Sequence, residues 1–420
     1  MHDLVRATLC AIKACTVFVV ASHCVLATMP VTAQNLSNQV QAQPLPGSGG
    51  SAVAEILFRF PVGGVITTGP VVAGALVWFI SDSRTLYVLD STGKAIGRRA
   101  INYRRAAFIA CDPFGRAVIP EEPSMLTMIN RAGQTVWSLD LGLPASGPPA
   151  FGPDGRLYVL TGRILSAYAP NGRWLWRTQL PVDATGMVRT GPGGGPVLML
   201  ADGSIRLWSQ DGVSSWSFFI ERDTPSAFPS AMQGALLAAD GKAVALALPD
   251  GRIIHLDASG QLSWSFKLAV EPALVALGAG DSCLVVGRDG SLSMVASSGL
   301  AWNTPKNQGF VPTGAALAIH DNRYILTWKG GAASYGTDGG IYRELNIQNP
   351  ATVPALAPGG TVFSGGIDWI MYAYHFERDL IKAGASTVPA LDRQAIREAA
   401  REEVFWTPDR KSTRLNSSHG

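Results

Sequence analysis

The segment Gly260-Gln-Leu-Ser-Trp264 places a glycine four residues before a tryptophan, and this spacing recurs along the chain. Three further copies keep the offset of four, another shortens it to three, and in two copies Gly97 or Tyr342 follows the glycine instead. The glycines are Gly93, Gly133, Gly172, Gly212, Gly260, Gly299 and Gly339, and the tryptophans are Trp137, Trp176, Trp216, Trp264 and Trp302. Successive glycines are 39 to 48 residues apart. A period near forty in a strand-rich sequence predicts a propeller or a solenoid.

In the repeat between Ala238 and Leu268, every residue can be assigned to a strand or a turn. Turns at Asp240-Gly241, Pro249-Asp-Gly251 and Ser259-Gly260 separate apolar or alternating segments of strand length. Together with the short apolar segment before Asp240, they give four strands, which we name a to d. Because tryptophan buries a large surface, we expect each strand-d indole to pack between adjacent blades.

The number of repeats indicates how the ring closes. Seven repeats have their own strand d, whereas the eighth, around Trp369–Tyr374, has none. At the other end of the sequence, Glu55–Val62 resembles Leu262–Ala269, which contains strand d of the repeat divided above. The sequence therefore predicts an all-β fold, an eight-bladed propeller over residues 55–376. Its N-terminal strand completes the last blade and removes an exposed sheet edge.

The repeated pattern consists of an Asp-Gly turn, an apolar strand, a second Asp-Gly turn with its strand, and the glycine–tryptophan unit. This pattern resembles the pyrroloquinoline-quinone-type propeller repeat. That repeat occurs in quinoprotein alcohol dehydrogenases and in the β-propeller lipoprotein that assists outer-membrane β-barrel insertion. The resemblance covers residues 55–376 and implies the fold. It leaves the function open, because the motif consists of turn and packing residues.

The N-terminal residues read as an export signal followed by a linker. Arg6 and Lys13 precede an apolar run, and Val31-Thr-Ala33 supplies small residues for cleavage, so we expect a signal peptide over residues 1–33. The alternatives are a retained N-terminal anchor and lipidation of Cys24, either of which would associate the protein with a membrane. Residues 34–54 are rich in Gln, Pro, Gly and Ser and predict a flexible linker.

The C-terminal residues differ from the repeats. Residues 377–409 predict a linker and a helix, a C-terminal helical tail, because 391–404 combine good helix formers with i,i+4 charge pairs. Residues 410–420 share no pattern with the rest and look like a translated adaptor sequence, so we expect them to be non-native.

Composition narrows the classes of function. The chain is 47% hydrophobic and 15% charged, which fits sheets covered on both faces. Its net charge of +3 comes from scattered residues and predicts no nucleic-acid binding. Apart from the predicted signal peptide, the cysteines are Cys111 and Cys283, about four repeats apart. We therefore expect two buried thiols and no disulfide bond.

The residues needed for catalysis are not recognisable. A quinoprotein dehydrogenase would need a catalytic aspartate, a calcium site and an apolar sandwich for the quinone, often with adjacent cysteines. No cysteines are adjacent and no acidic cluster has calcium-loop spacing, so we predict no catalytic, cofactor-binding or metal-binding residues. Glu121 and Glu122 point apart if they lie on a strand, and His255 lies between apolar residues, as a packed histidine would.

Two principal functions remain. The favoured one is a non-enzymatic, monomeric propeller in the periplasm or otherwise outside the cytoplasm. It would bind a protein or peptide of the cell envelope, without a cofactor, as a scaffold or assembly factor. The alternative is a quinone-dependent oxidoreductase. A weaker alternative is a sensor of a small ligand or glycan in the central funnel.

Strand direction indicates where a partner would bind. In a four-stranded antiparallel blade, the a–b and c–d turns share one face, and the b–c and d–a loops share the other. The second face has the more variable loops, which commonly carry binding residues. The candidate residues there are Arg104, Arg105, Glu121, Glu122, Arg163, Arg222, Phe228, Arg252, Arg288 and Lys329. The alternative is that these are solvated charges.

Overall fold

The computed structural model describes residues 55–102, 108–220, 234–278, 280–306, 316–320, 323–357 and 360–376. The predicted signal peptide and linker, and the predicted C-terminal helix and tail, lie outside these residues. Within the described ranges, regular structure is β apart from one short 3-10 helix, Pro192–Gly194. No helix in this part of the chain has the length and hydrophobicity needed to cross a bilayer.

The described strands follow one another in chain order with short connections. The first sixteen are Glu55–Pro61 (β1), Ile66–Ala73 (β2), Leu76–Ser81 (β3), Thr85–Asp90 (β4), Ala95–Ala100 (β5), Ala110–Cys111 (β6), Ala117–Pro120 (β7), Met125–Ile129 (β8), Thr135–Asp140 (β9), Ala150–Phe151 (β10), Leu157–Thr161 (β11), Ile164–Tyr168 (β12), Trp174–Gln179 (β13), Arg189–Thr190 (β14), Pro196–Met199 (β15) and Ser204–Trp208 (β16). The others are Ser214–Phe219 (β17), Leu236–Ala239 (β18), Val244–Ala247 (β19), Arg252–Leu256 (β20), Leu262–Lys267 (β21), Pro272–Leu277 (β22), Cys283–Gly287 (β23), Leu292–Ala296 (β24), Gly299–Asn303 (β25), Ala316–His320 (β26), Arg323–Trp328 (β27), Gly331–Gly336 (β28), Ile341–Asn346 (β29), Ala355–Leu356 (β30), Thr361–Gly365 (β31) and Ile370–His375 (β32).

These strands form eight four-stranded sheets. Blade 1 contains β2 to β5, and each following set of four strands forms the next blade up to β26–β29 in blade 7. Blade 8 contains β30, β31, β32 and the N-terminal strand β1. All pairings within the blades are antiparallel, and β1 pairs with β32 from Glu55↔His375 to Pro61↔Ile370. The predicted eight-bladed propeller and its closure by the N-terminal strand are confirmed.

The core lies between the blades. Eight hydrophobic clusters fill the eight contacts between neighbouring sheets, including the contact between blade 8 and blade 1. Alternate residues of β7 illustrate the arrangement, because Val118 packs with blade 3 whereas Ile119 packs with blade 1. A sheet covered on both faces needs apolar residues at consecutive positions, which explains the apolar runs in strands b and c.

Most strand-d tryptophans lie on the c–d turn of the next blade. A Cβ atom added to Gly172, Gly212, Gly260 or Gly339 would lie 2.3 to 2.9 Å from the indole of Trp137, Trp176, Trp216 or Trp302, respectively. Three indoles also donate from Nε1 to a carbonyl oxygen of the same turn, namely Trp137 to Pro170 at 3.0 Å, Trp176 to Gln210 at 2.7 Å and Trp216 to Ala258 at 3.1 Å. The periodic glycine thus provides both a turn conformation and room for the preceding blade's tryptophan.

Blade 6 alters this contact because its c–d turn is short. Ala296 pairs directly with Gly299, so the turn does not extend far enough to receive an indole in the usual way. Trp264 of blade 5 instead donates to the carbonyl oxygen of Asp281, in the a–b turn of blade 6, at 2.8 Å. The shortened glycine–tryptophan spacing at Gly299 reflects the same short turn.

Blades 1 and 7 have other residues at the tryptophan position. In blade 1, Gly97 lies directly on the backbone of the next turn, where an added Cβ would be 2.8 Å from the Arg131 carbonyl oxygen. In blade 7 the position belongs to Arg343, which donates to the carbonyl oxygen of Phe376 at 2.9 Å. The sequence assigned this position to Tyr342, but Tyr342 is the extra residue of a β-bulge between Ile341 and Arg343. Blade 8 has no c–d turn that could receive an indole.

The closing strand has the same bulge as strand d of the other seven blades. Leu57 is the extra residue between Ile56 and Phe58, and its side chain is exposed. Phe58 therefore takes the tryptophan position and lies against Gly93 of blade 1. The sequence comparison of Glu55–Val62 with Leu262–Ala269 places Leu57 at the tryptophan position, which is one residue too early.

We expect Gly260→Ala to lower the free energy of unfolding by about 2–3 kcal/mol. Gly260 has a left-handed φ of 80°, which costs an L residue about 1–2 kcal/mol, and its Cβ would also displace the Trp216 indole. The matched control is Gly241→Ala, because a Cβ at Gly241 meets nothing within 4 Å. Urea denaturation of both variants checks this prediction, and equal midpoints would contradict it.

Candidate functional site

The strand order places all connections on two opposite faces. The turn face carries the a–b and c–d turns, and the loop face carries the b–c and d–a connections. In blade 8, β1 begins and β32 ends on the turn face, where Glu55 pairs with His375. Both ends of the propeller chain are therefore neighbours on the turn face. The loop face contains neither end.

Carboxylates on the turn face stabilise their own turns. The Oδ1 atom of Asp257 accepts hydrogen bonds from the Ser259 hydroxyl at 2.6 Å and from the backbone nitrogens of Ser259 and Gln261. Asp90 accepts equivalent bonds from Thr92 and Lys94. The serine or threonine hydroxyl is the main reason why the pKa of each carboxyl is lowered. These groups form turns, and the Oδ1 atom of each carboxylate is already hydrogen-bonded.

The described candidate residues on the loop face lie in b–c turns or at their ends, as the sequence predicts. Four candidates, Arg104, Arg105, Arg222 and Phe228, lie outside the described residues. Glu122 and Lys329 are exposed to solvent. The remaining candidates have close partners within the chain.

Glu121 joins blade 2 to blade 1. Its Oε1 atom lies 2.7 Å from Nη2 of Arg99, and its Oε2 atom accepts from the Thr127 hydroxyl at 2.8 Å. The Arg99 and Glu121 side chains are only 22% and 13% exposed, and Arg99 also donates to Thr135. This ion pair lies at the contact between blades 1 and 2, where Gly97 takes the place of the tryptophan.

We expect Glu121→Ala to lower the free energy of unfolding by about 1–3 kcal/mol, because it leaves a largely buried guanidinium without its carboxylate. Glu122→Ala is the matched control, since its neighbouring side chain is exposed and should change stability by less than about 0.5 kcal/mol. Thermal and urea denaturation measure both effects. A larger loss for Glu122→Ala would contradict this assignment.

The three described candidate arginines, Arg163, Arg252 and Arg288, each have a close partner within the chain. Arg163 donates to the carbonyl oxygens of Leu180 and Pro181 and so holds the next d–a connection. Arg288 contacts Glu271 at 2.6 Å, again between a b–c turn and a d–a connection. Arg252 contacts Asp250 within its own turn at 2.7 Å. All three side chains remain partly exposed, so they shape the loop face while leaving surface for a partner.

The exposed loop-face residues that were not sequence candidates include two in the b–c turn of blade 8 and one in that of blade 1. Trp369 and Ile367, in the b–c turn of blade 8, are 56% and 53% exposed, and Arg84 is exposed in the same turn of blade 1. Arg84 and Trp369 have left-handed φ angles of 58° and 66°. Blades 4, 5 and 7 place a glycine immediately before strand c, at Gly203, Gly251 and Gly330. This glycine before strand c is the sequence signal that could have identified Arg84 and Trp369.

Within the described ranges, no group of three or more His, Cys, Asp or Glu side chains could hold a metal ion. Cys111 on blade 2 and Cys283 on blade 6 are free thiols, of which Cys283 is buried as predicted whereas Cys111 is only partly buried. Burial raises the pKa of both, that of Cys283 to about 12. His255 is buried against Trp264, with ring centroids 5.2 Å apart and nearly parallel planes.

The closed ring of eight antiparallel blades, with its loops gathered on two faces, defines an eight-bladed β-propeller. Residues 124–330 match the model of a family described as outer membrane protein assembly factor BamB. A search of curated proteins found no significant match. The chain is therefore an eight-bladed β-propeller that is similar to the pyrroloquinoline-quinone type and to BamB.

Solved structures show the same fold. BamB from Moraxella catarrhalis superposes with a TM-score of 0.58 at 14% identity, over 77% of this chain and 100% of that one. The C-terminal WD40 domain of Sif2 gives 0.60 at 11% identity, over 78% and 100%. The computationally designed Ika8 protein gives 0.57 at 16% identity, over 75% and 98%. At these identities the similarity concerns the fold alone.

Proposed function

We propose that this chain is a non-enzymatic, monomeric protein that binds a protein or peptide partner outside the cytoplasm, as a scaffold or assembly factor of the cell envelope. The observation that carries this proposal is the match of residues 124–330 to the family described as an outer membrane protein assembly factor. The export signal expected from residues 1–33 supports the location.

The arrangement of the faces supports a binding role for the loop face. Described carboxylates of the turn face, such as Asp90 and Asp257, are hydrogen-bonded within tight turns. The loop face instead presents exposed side chains of different chemistry on connections held by ion pairs such as Arg288–Glu271. Binding residues are commonly found on loops that a rigid scaffold positions.

The test is affinity capture with the tagged full-length protein, expressed in its native host. We expect a protein partner to be captured from envelope fractions, and alanine replacement of Arg104, Arg105, Arg222 and Phe228 to weaken capture without lowering the melting temperature. Val213→Ala is the control, because Val213 is 67% exposed next to a c–d turn. Intact-mass measurement should show loss of the first 33 residues.

Two results would contradict the proposal. One is an unprocessed cytosolic product that captures no partner. The other is stoichiometric binding of pyrroloquinoline quinone with calcium-dependent, dye-linked alcohol oxidation, which would favour the oxidoreductase alternative.

A further inference from the structure

The b–c turns of blades 8 and 1 differ from those of blades 4, 5 and 7 at the residue before strand c. All five turns place that residue in the left-handed region, where glycine adopts the conformation without steric cost. Blades 1 and 8 place Arg84 and Trp369 there. A large side chain in this conformation is unfavourable, and such strain in other proteins is concentrated at functional positions. The two substitutions occur on neighbouring blades.

The two turns are joined by one short connection. The backbone nitrogen of Val62 donates to the Trp369 carbonyl oxygen, and the Val65 carbonyl oxygen accepts from the Asp82 backbone nitrogen, both at 2.8 Å. Residues 62 and 65 are three steps apart, so this connection spans at most about 11 Å. Arg84 and Trp369 therefore belong to one local surface at the seam where the ring closes.

This surface has an apolar centre and a mixed polar edge. The Trp369 and Ile367 side chains are more than half exposed, and no ring contact or hydrogen bond holds the Trp369 indole within the described part of the chain. Two exposed carboxylates, Asp82 and Asp368, accompany Arg84, and Asp368 accepts a hydrogen bond from the Tyr372 hydroxyl. We call Arg84, Ile367 and Trp369 the seam patch.

The connection between the two turns of the seam patch is short and contains two glycines. Residues 62–65 read Val-Gly-Gly-Val, and Gly63 is exposed between the two turns. A Cβ at Gly64 would lie within 2 Å of the Asp82 carboxylate, so any other residue would require the Asp82 side chain to move. The exposed Gly63 has no side chain, which lets another backbone approach closely between Arg84 and Trp369.

From these observations we infer that the seam patch is a docking site for an extended segment of a protein partner that carries a bulky apolar side chain. The apolar side chain would pack on Trp369 and Ile367, while Arg84 donates to the segment's carbonyl or carboxylate oxygens. Tryptophan and arginine are the residue types that most often dominate binding energy at protein interfaces. The inference rests on the proposed function, because it assigns the partner's binding surface.

The charges of the patch argue against a polyanionic occupant. Nucleic acids and anionic lipid surfaces are bound through several clustered cations. Here one arginine is flanked by two exposed carboxylates, so a polyanion would meet repulsion as well as attraction. A polypeptide supplies backbone donors for the carboxylates, an acceptor for Arg84 and an apolar side chain for the centre.

Site-specific photo-crosslinking in the native host tests the inference. A benzophenone amino acid replaces Trp369 in the full-length protein, and in a matched control it replaces Trp174, which is 57% exposed on the outer strand of blade 3. We expect a discrete protein adduct from position 369 and none from position 174. Mass spectrometry should place the crosslink in a segment with a bulky apolar residue.

A synthetic peptide of that segment then provides a binding assay with the purified full-length protein. We expect the double variant Arg84→Gly, Trp369→Gly to bind the peptide at least tenfold more weakly, with an unchanged or higher melting temperature. Serine in place of the peptide's apolar residue should weaken binding similarly. Glycine relieves the left-handed strain at both positions, so lost binding cannot be attributed to loss of folding.

The remaining outcomes overturn the inference. Lipid or nucleic-acid adducts at position 369, no adduct there, or unchanged binding by the double variant would each do so. If protein adducts form only from other loop-face positions, such as Glu122 or Lys329, the proposed function stands and the seam patch fails. If no surface position gives a protein adduct, both fail.

Discussion

Removal of residues 1–61 is expected to abolish cooperative folding, whereas removal of residues 1–54 should leave the melting temperature unchanged. The longer deletion removes β1, which supplies the outer strand of blade 8 and two aromatic side chains to the core. Phe58 lies 6.0 Å from the Phe363 ring, and Phe60 lies 6.4 Å from Phe79 and 5.9 Å from Tyr87. The ring would open between blades 8 and 1.

The expected loss is comparable with the total stability of a domain. Truncating one fully buried phenylalanine typically costs about 3–5 kcal/mol, β1 supplies two that are partly buried, and folded proteins are stable by about 5–15 kcal/mol. The deletion also exposes the edge of β32, which promotes aggregation. Circular dichroism melts and urea denaturation of the two deletion variants provide the measurement. Equal denaturation midpoints would show that β1 does not close the ring.

The number of blades could be predicted because each repeat needs the same turn and the same packing residue. A glycine with positive φ is required wherever the preceding blade's tryptophan lies on the turn, and the sequence preserves both at a regular period. The tryptophan-equivalent positions of blades 7 and 8 were predicted one residue too early. Strand d of every blade has one extra residue just before this position, such as Ser263 before Trp264, and Tyr342 and Leu57 are its counterparts. Where no tryptophan marks the position, only the strand pairing shows which residue points inward.

The candidate site was less predictable than the fold. Glu121, Arg163 and Arg288 lie in the loops that the sequence indicated, but they contact Arg99, the Leu180 carbonyl and Glu271. Long charged side chains reach partners that are distant in sequence, so the pattern alone cannot separate an internal ion pair from an interface anchor. Arg84 and Trp369 could have been recognised by comparing the residues before strand c.

Acidification is expected to destabilise the propeller through His255. The imidazole is only 4% exposed, and neither ring nitrogen has a hydrogen-bond partner within the described residues. Burial lowers the pKa of His255 below its ordinary value of 6.5, although Asp281, Asp240 and Asp257 oppose this shift. The unfolded chain therefore binds more protons than the folded chain below pH 6.5. Stability should fall as the pH decreases through this window, by at most about 1.4 kcal/mol per pH unit, until the folded pKa is passed.

His255→Phe isolates this effect, because phenylalanine keeps a ring stacked on Trp264 but cannot be protonated. We expect similar stabilities for the two proteins at pH 7.5 and a more stable variant at pH 5, measured by urea denaturation across that range. The aspartates that cap turns, such as Asp257 and Asp281, have lowered pKa values. Their contribution is lost only as the pH falls below the ordinary value of 3.8, so it does not overlap with the histidine window. Parallel stability curves for the wild type and the variant between pH 7.5 and 5 would show that His255 does not confer the pH dependence.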